Sequence, residues 1–235
     1  MAKELAVLIL GIESATQQVG CALGGHEGVL ASAHSARGRR HAETIAPQIQ
    51  FITRQARVEL RDVGCVAVDL GPGLYTGLRV GISSAMAMAY ALGVPMIGVP
   101  SLDLLAFAVR HARRVIVAAV DARRNELFYA FYRQVPGGVQ RVSDAQVGTP
   151  DDLASELWAT SEEVLLVGDG ARRYSEVFER RQKTEIAEQD LAYPSAASLV
   201  QLAHARALRE EFVPPWELKP LYLRVPDADI NWNTR

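Results

Sequence analysis

The chain is poor in the residues that most directly announce chemistry. Only two cysteines occur among 235 residues, Cys21 and Cys65. Each lies in an apolar, strand-like stretch without a C-x-x-C partner, so neither spells a zinc site. Buried free thiols in a reducing compartment are the expectation. His41 opens a helical pattern but has no second histidine three or four residues away, so no metal is expected there. Charge of one sign is also lacking: 25 basic residues stand against 27 acidic ones, a formal net charge of −2. A protein that held nucleic acid alone would carry a basic excess. The arginine pairs (Arg39-Arg40, Arg113-Arg114, Arg123-Arg124, Arg172-Arg173, Arg180-Arg181) are scattered and read as solvated surface. The apolar stretch Ile82–Val99 is broken by Gly93, Pro95, Gly98 and Pro100, which makes it a poor membrane span. The first residues lack a signal-peptide cleavage pattern. There is no G-x-S-x-G elbow, no H-E-x-x-H and no Walker lysine. These absences lead us to expect a cytoplasmic protein with no membrane contact, no metal, no cofactor and no catalytic residue.

What is present concentrates in Val66–Leu92. An apolar, β-branched run through Leu70 reads as a buried strand. Gly71-Pro72-Gly73 and Leu74-Tyr75-Thr76-Gly77 form a turn, in which proline fixes φ and glycine frees it. Thr76 suits the N-cap of a helix over Leu78–Leu92. That helix is apolar or small on nearly every side except at Arg79, a pattern of all-round burial. Two readings fit the turn. One is an anion site at a helix N-terminus. The other is a tight strand-to-helix connection packing a small-residue helix close to a sheet. Neither phosphate fingerprint matches: Gly71-Pro72-Gly73 to Gly77 is one residue too long for G-x-G-x-x-G, and Leu78-Arg79 stands where a Walker loop needs Lys-Ser or Lys-Thr.

The remaining chain reads as α/β. Leu5–Ile12, Val19–Leu23 and Val29–His34 are strands, the first ending in Glu13-Ser14-Ala15-Thr16. A helix over about Glu43–Arg57 carries the stripe Ile45, Ile49, Ile52, Ala56, with Pro47 in its first turn. Val94–Val99 is a strand, and Ser101 caps a helix toward Arg110. Val115–Val120 ends in Asp121 and turns through Ala122–Asn125 into Glu126–Arg133, echoing the first hairpin. Two halves that each open with a hairpin whose first strand ends in a carboxylate suggest internal duplication. Leu153–Trp158 and Tyr174–Arg181 are helices around the strand Val164–Val167. Gln182–Gln189 is a surface excursion, and Ser195–Glu210 is an amphipathic helix. Carboxylates at strand ends, such as Asp69 and Asp121, usually cap turns, although a general base is open to them.

The segments LGIESATQQVGCAL, RRHAETIAPQI, DLGPGLYTGLRVGISSAMAMA, VPSLDLLA, VDARRNELFYAFY, VGDGA and PLYLR together resemble the bacterial TsaB (YeaZ) family over most of the chain. Its motif falls here on Gly71, Pro72, Gly73, Tyr75, Thr76, Gly77 and Arg79. The resemblance implies an actin/sugar-kinase/Hsp70-like (ASKHA) fold of two RNase H-like halves. We expect residues 1–105 plus 195–225 in the first, 106–194 in a smaller second, and 226–235 as a tail. It further implies a non-catalytic subunit that partners TsaD, with TsaE. Together they attach threonylcarbamoyl to the adenosine beside the anticodon of tRNAs reading codons that start with A, with tRNA met only within the complex. TsaD-like members hold a metal through a histidine pair on the first helix, and His41 has no mate. Family members pair through their first two long helices, with TsaD or as a homodimer in its absence. The residues that implies here are Ile45, Ile49, Ile52, Leu78, Ile82, Ala85, Met86, Ala89 and Tyr90. Independently, Leu78–Leu92 has more apolar surface than one sheet covers. An active nucleotide-dependent phosphotransferase of the same superfamily is the alternative; a metalloprotease, the family's older assignment, has no nucleophile–base pair to support it.

Overall fold

The computed structural model describes residues 7–36 and 41–224. The pair Arg39-Arg40 and the tail 226–235 lie outside them. Two mixed sheets carry the chain. The first contains β1 (Leu8–Glu13), β2 (Val19–Gly25), β3 (Gly28–Ser35), β4 (Val63–Asp69) and β5 (Met96–Val99), in the order β3-β2-β1-β4-β5. β1–β3 are antiparallel, while β4 and β5 add in parallel. The second contains β6 (Val115–Arg123), β7 (Glu126–Val135), β8 (Gly138–Arg141), β9 (Gln146–Gly148), β10 (Val164–Val167) and β11 (Thr184–Ile186). Its order, β8-β7-β6-β10-β11, repeats that of the first sheet, with β9 an addition on β7. The duplication expected from the two hairpins is thus present as repeated topology.

Among the described residues seven α-helices cover these sheets: α1 (His41–Ala56), α2 (Tyr75–Leu92), α3 (Ser101–Ala108), α4 (Pro150–Ala159), α5 (Asp169–Arg173), α6 (Ser175–Phe178) and α7 (Ala196–Ala207). Strand alternation decides which face each one takes. Leu10, Ile12, Val66 and Val68 point to α1 and α2, whereas Ile9, Cys65 and Ala67 point to α7. In the second sheet Ile116, Ala118 and Val120 meet α3, and Val117, Ala119 and Leu166 meet α4–α6. α3 and α7 touch, so they form the inner layer between the sheets. α3 straddles residue 105 and is packed on both sides, Leu102, Leu105 and Ala106 against the second sheet and Leu104 against the cluster of the first sheet and α7.

Several local expectations change. α2 starts at Tyr75 with Leu74 as N-cap, so Thr76 caps nothing. The Leu74 amide is bound to Ala15 O at 2.7 Å, which fixes the chain's entry one turn earlier. Ser101 is the first residue of α3 rather than its cap; Pro100 holds that place. α1 begins at His41, putting Pro47 in the second turn on the exposed side. The helix expected over Tyr174–Arg181 is reduced to the four-residue α6, and a separate short helix before it, α5, takes in Asp169-Gly170-Ala171. Gln182–Gln189 is no mere excursion, because β11 extends the second sheet there. α4 is fixed by a capping box between Thr149 and Asp152 that the sequence reading missed.

Candidate functional site

The glycines of the central turn fall every four residues, at 73, 77 and 81, on one side of the start of α2. All three lie against the first hairpin turn. A Cβ on Gly73 would come within 2.2 Å of Ala15 O, and one on Gly77 within 2.2 Å of Ser14 O. On Gly81 it would lie 2.0 Å from Ser14 Oγ. The hydroxyl of Ser14 donates to Gly77 O at 2.9 Å. His41 Nε2 donates to Thr16 O at 2.8 Å, tying α1 to the same turn. The polar turn that ends β1 is therefore packed against by α2 and α1, and its Ser14 hydroxyl is spent.

The carboxylates at the strand ends are engaged in the same way. Glu13 is fully buried and accepts the Ala15 amide at 2.8 Å. Desolvation, then the charge of Asp69, pushes its pKa well above the usual carboxylate range, against the Ala15 hydrogen bond. Asp69 Oδ1 accepts the Gly71 amide at 2.7 Å and the Ser101 hydroxyl at 2.6 Å. Burial raises Asp69 to about 7 in spite of those bonds. In the second half Asp121 accepts the Arg123 amide at 2.9 Å and pairs with Arg123 and Arg173. Arg123, Arg124 and Asn125 all take left-handed φ, at 63°, 56° and 60°, so this hairpin turn is strained. Asp169 accepts the Asp121 amide at 3.0 Å and is raised to about 6, chiefly by desolvation. Each acid caps backbone, as expected of strand-end carboxylates. Among the described residues no group of three or more His, Cys, Asp or Glu is placed to hold a metal ion.

The C-terminal segment joins the halves. The Leu221 amide donates to Leu70 O at 2.8 Å, and the Tyr222 ring stands 5.5 Å from that of Tyr75. Arg224 pairs with Glu126 and donates to Ala122 O. The Arg79 guanidinium lies over the Tyr75 ring at 4.1 Å. These contacts wall a cleft of about 380 Å³ between the start of α2 and the second hairpin.

The outward face of α1 and α2 differs from the expected one. Ile45, Ile49, Ile52, Leu78, Ile82, Ala85 and Ala89 are buried in the chain's own core against the first sheet. They are not available to a partner. Of the expected set, Tyr90 is 80% exposed and Met86 is half-buried. Phe51, 52% exposed on α1, was missed. Its signal was present, since it is a large apolar residue off the Ile45–Ile49–Ile52 stripe. Between these aromatics α2 presents Ser83 and Ala87, small and exposed.

Comparison with known proteins accords with this architecture. Residues 29–232 match the family model described as TsaD: tRNA N6-adenosine threonylcarbamoyltransferase. The tRNA threonylcarbamoyladenosine biosynthesis protein TsaB of Escherichia coli is 26% identical over 219 residues, covering 92% of this chain and 94% of that protein. YeaZ from Pseudomonas aeruginosa superposes with a TM-score of 0.81 at 27% identity, over 92% of this chain and 100% of that one. The chain belongs to the TsaD family, on its TsaB (YeaZ) branch. The repeated strand order of the two sheets accords with the expected actin/sugar-kinase/Hsp70-like fold of two RNase H-like halves. The uncharacterized protein ML0378 of Mycobacterium leprae is 32% identical over 230 residues, 94% of this chain. That alignment takes 56% of ML0378, so the chain spans little more than half of that relative. No helix among the described residues is long and apolar enough to cross a membrane.

Proposed function

We propose that the chain acts in the biosynthesis of threonylcarbamoyladenosine in tRNA, as a cytoplasmic, non-catalytic scaffold that partners TsaD, with TsaE. The modified base is the adenosine beside the anticodon of tRNAs reading codons that start with A. The name of the E. coli relative supports the pathway. One observation carries the non-catalytic reading: α2 fills the first hairpin turn, with Gly77 and Gly81 against Ser14. On that side the turn leaves a phosphate no room, and its Ser14 hydroxyl is already given to Gly77 O.

The partner face in this reading is the outer side of α1 and α2, with Phe51, Met86 and Tyr90 replacing the buried members of the expected set. Small residues between large aromatics let a second helix pair approach closely. A homodimer would use the same face and so compete with TsaD. Residues 1–105 with 195–225 and residues 106–194 are the two units of this scaffold, α3 being shared between them. Co-purification of TsaD with the chain, lost on Tyr90→Glu, tests the assembly; reconstituted tRNA modification with and without the chain tests the function.

The rival reading, a nucleotide-dependent phosphotransferase, has one observation in its favour. A cavity of about 320 Å³ between the halves is lined by Gln17, Asp121, Asp169, Arg172 and Arg173. Substantial turnover of ATP with Mg²⁺ by the purified chain would select it over the scaffold.

A further inference from the structure

On the side of the first sheet away from α1 and α2, a cleft of about 560 Å³ runs between α3, α7 and the β7–β8 hairpin. Four arginines line it: Arg110 beyond α3, Arg141 at the end of β8, Arg206 in the last turn of α7 and Arg209 just beyond that helix. Among the described residues its wall carries a single carboxylate, Asp103. In a chain of net charge −2 this basic excess is a local construction.

Asp103 does little to neutralise it. Its Oδ1 accepts the Tyr132 hydroxyl at 2.8 Å, while Oδ2 is 3.9 Å from Arg206, a loose pair. Arg206 is instead held by a bond to Gly98 O at 2.6 Å. Arg110 donates to Phe107 O at 3.1 Å and lies 4.2 Å from the Phe107 ring centroid. Arg209 pairs with Glu211 in the open, an interaction of small worth that a stronger anion displaces. Neither Arg110 nor Arg141 has a carboxylate partner among the described residues. Carbonyls and a ring thus fix Arg110 and Arg206 without cancelling their charge, the preorganisation that suits phosphate oxygens.

We propose that this cleft binds the phosphodiester backbone of RNA. The choice of RNA among polyanions rests on the tRNA role proposed above. A site for a small free phosphate would enclose its arginines, but Arg141 and Arg209 are exposed along an open trough. The aromatic rings of the wall, Phe107 and Tyr132, are buried and offer bases no stacking platform. Contact is therefore to backbone and independent of sequence. The first sheet separates the cleft from the α1–α2 face, so a protein partner there leaves the cleft open.

The test uses the full chain, alone and bound to TsaD, with a fluorescent anticodon stem–loop RNA whose anisotropy is followed between about 50 and 200 mM KCl. The double variant R110Q/R141Q removes two guanidinium groups without stranding a carboxylate. It is expected to weaken binding roughly tenfold at the low-salt end and to lower the salt slope by about one per arginine. Tyr90→Glu should leave the affinity and slope of the free chain unchanged. Unaltered affinity and slope in R110Q/R141Q, or no RNA binding by chain or complex, overturns the proposal. Competition by inorganic phosphate beyond that of KCl at equal ionic strength also overturns it, by assigning the cleft to a free anion. A chain that loses TsaD but keeps arginine-dependent RNA binding overturns the assembly reading alone.

Discussion

Ser14 and Gly81 stand so close that a Cβ on the glycine would lie 2.0 Å from the serine hydroxyl and 3.3 Å from its Cβ. The serine is at the end of β1 and the glycine in the second turn of α2, so the pair reports how tightly helix and hairpin turn are pressed together. Gly81→Ala must push the two apart. Overpacking of this kind costs roughly 1–3 kcal/mol. In a chain of this size Tm falls by about 2–4 °C per kcal/mol. Ser14→Ala removes the offending oxygen but also the bond to Gly77 O, worth about 1 kcal/mol. The double variant S14A/G81A is expected to lose less than the sum of the singles, as thermal melts of the four proteins will reveal. Strict additivity would mean that the contact does not govern the packing.

The buried acids predict an unusual pH dependence. Burial raises Asp69 from 3.8 to about 7 in the folded state. Between those values the native chain still holds a proton that the unfolded chain has released. Stability therefore falls as pH rises from about 4 to 7, by up to about 1.4 kcal/mol per pH unit. Asp69→Asn keeps the acceptor for Gly71 and Ser101 but cannot ionise. We expect urea unfolding at pH 4 to give similar stability for D69N and the parent, and the advantage of D69N to grow as pH rises to 8. Removing the Asp69 charge also relaxes the upward push on Glu13, which favours D69N at high pH in the same direction. A parent that gains on D69N with rising pH would show that Asp69 is stabilised as a carboxylate.

How much of this was legible follows from range. The paired hairpins and their terminal carboxylates were readable because each lies within one short segment, an apolar run ending in an acid and a polar turn, and their repetition exposed the duplicated sheets. The every-fourth glycines were equally visible, but their purpose was not, since Ser14 is 63 residues from Gly77. The outward side of α2 was unreadable for a different reason. A helix apolar all round gives no periodic contrast, so nothing local says that Ile82, Ala85 and Ala89 face the sheet and Tyr90 faces out. Ser101 misled because a serine before an apolar run is a good cap signal, and only the fold brings Asp69 within reach of its hydroxyl.

Cys21 and Cys65 are both buried free thiols, each pushed up to about 12, chiefly by desolvation. Thiolate is the reactive form. Neither should react with a thiol reagent at pH 8 on the timescale of a surface cysteine. Both should react as denaturant unfolds the chain, so that labelling tracks the unfolding curve. Rapid modification of either thiol in the native protein would contradict its burial.

The two sides of α2 give the sharpest separation between folding and assembly. Ile82 is 6% exposed and packs on the first sheet, whereas Tyr90, two turns on, is 80% exposed. Ile82→Asp places an unpaired charge in the core and is expected to cost roughly 3–5 kcal/mol, seen as a large fall in Tm. Tyr90→Glu touches no core contact and should change stability by less than about 0.5 kcal/mol. If the outer face is where TsaD or a second copy docks, Tyr90→Glu, alone or with Phe51→Glu, will abolish both co-purification and self-association while the melting curve stays put. If it melts normally and still retains TsaD, the partner binds elsewhere and the outer aromatics of α1 and α2 need another explanation.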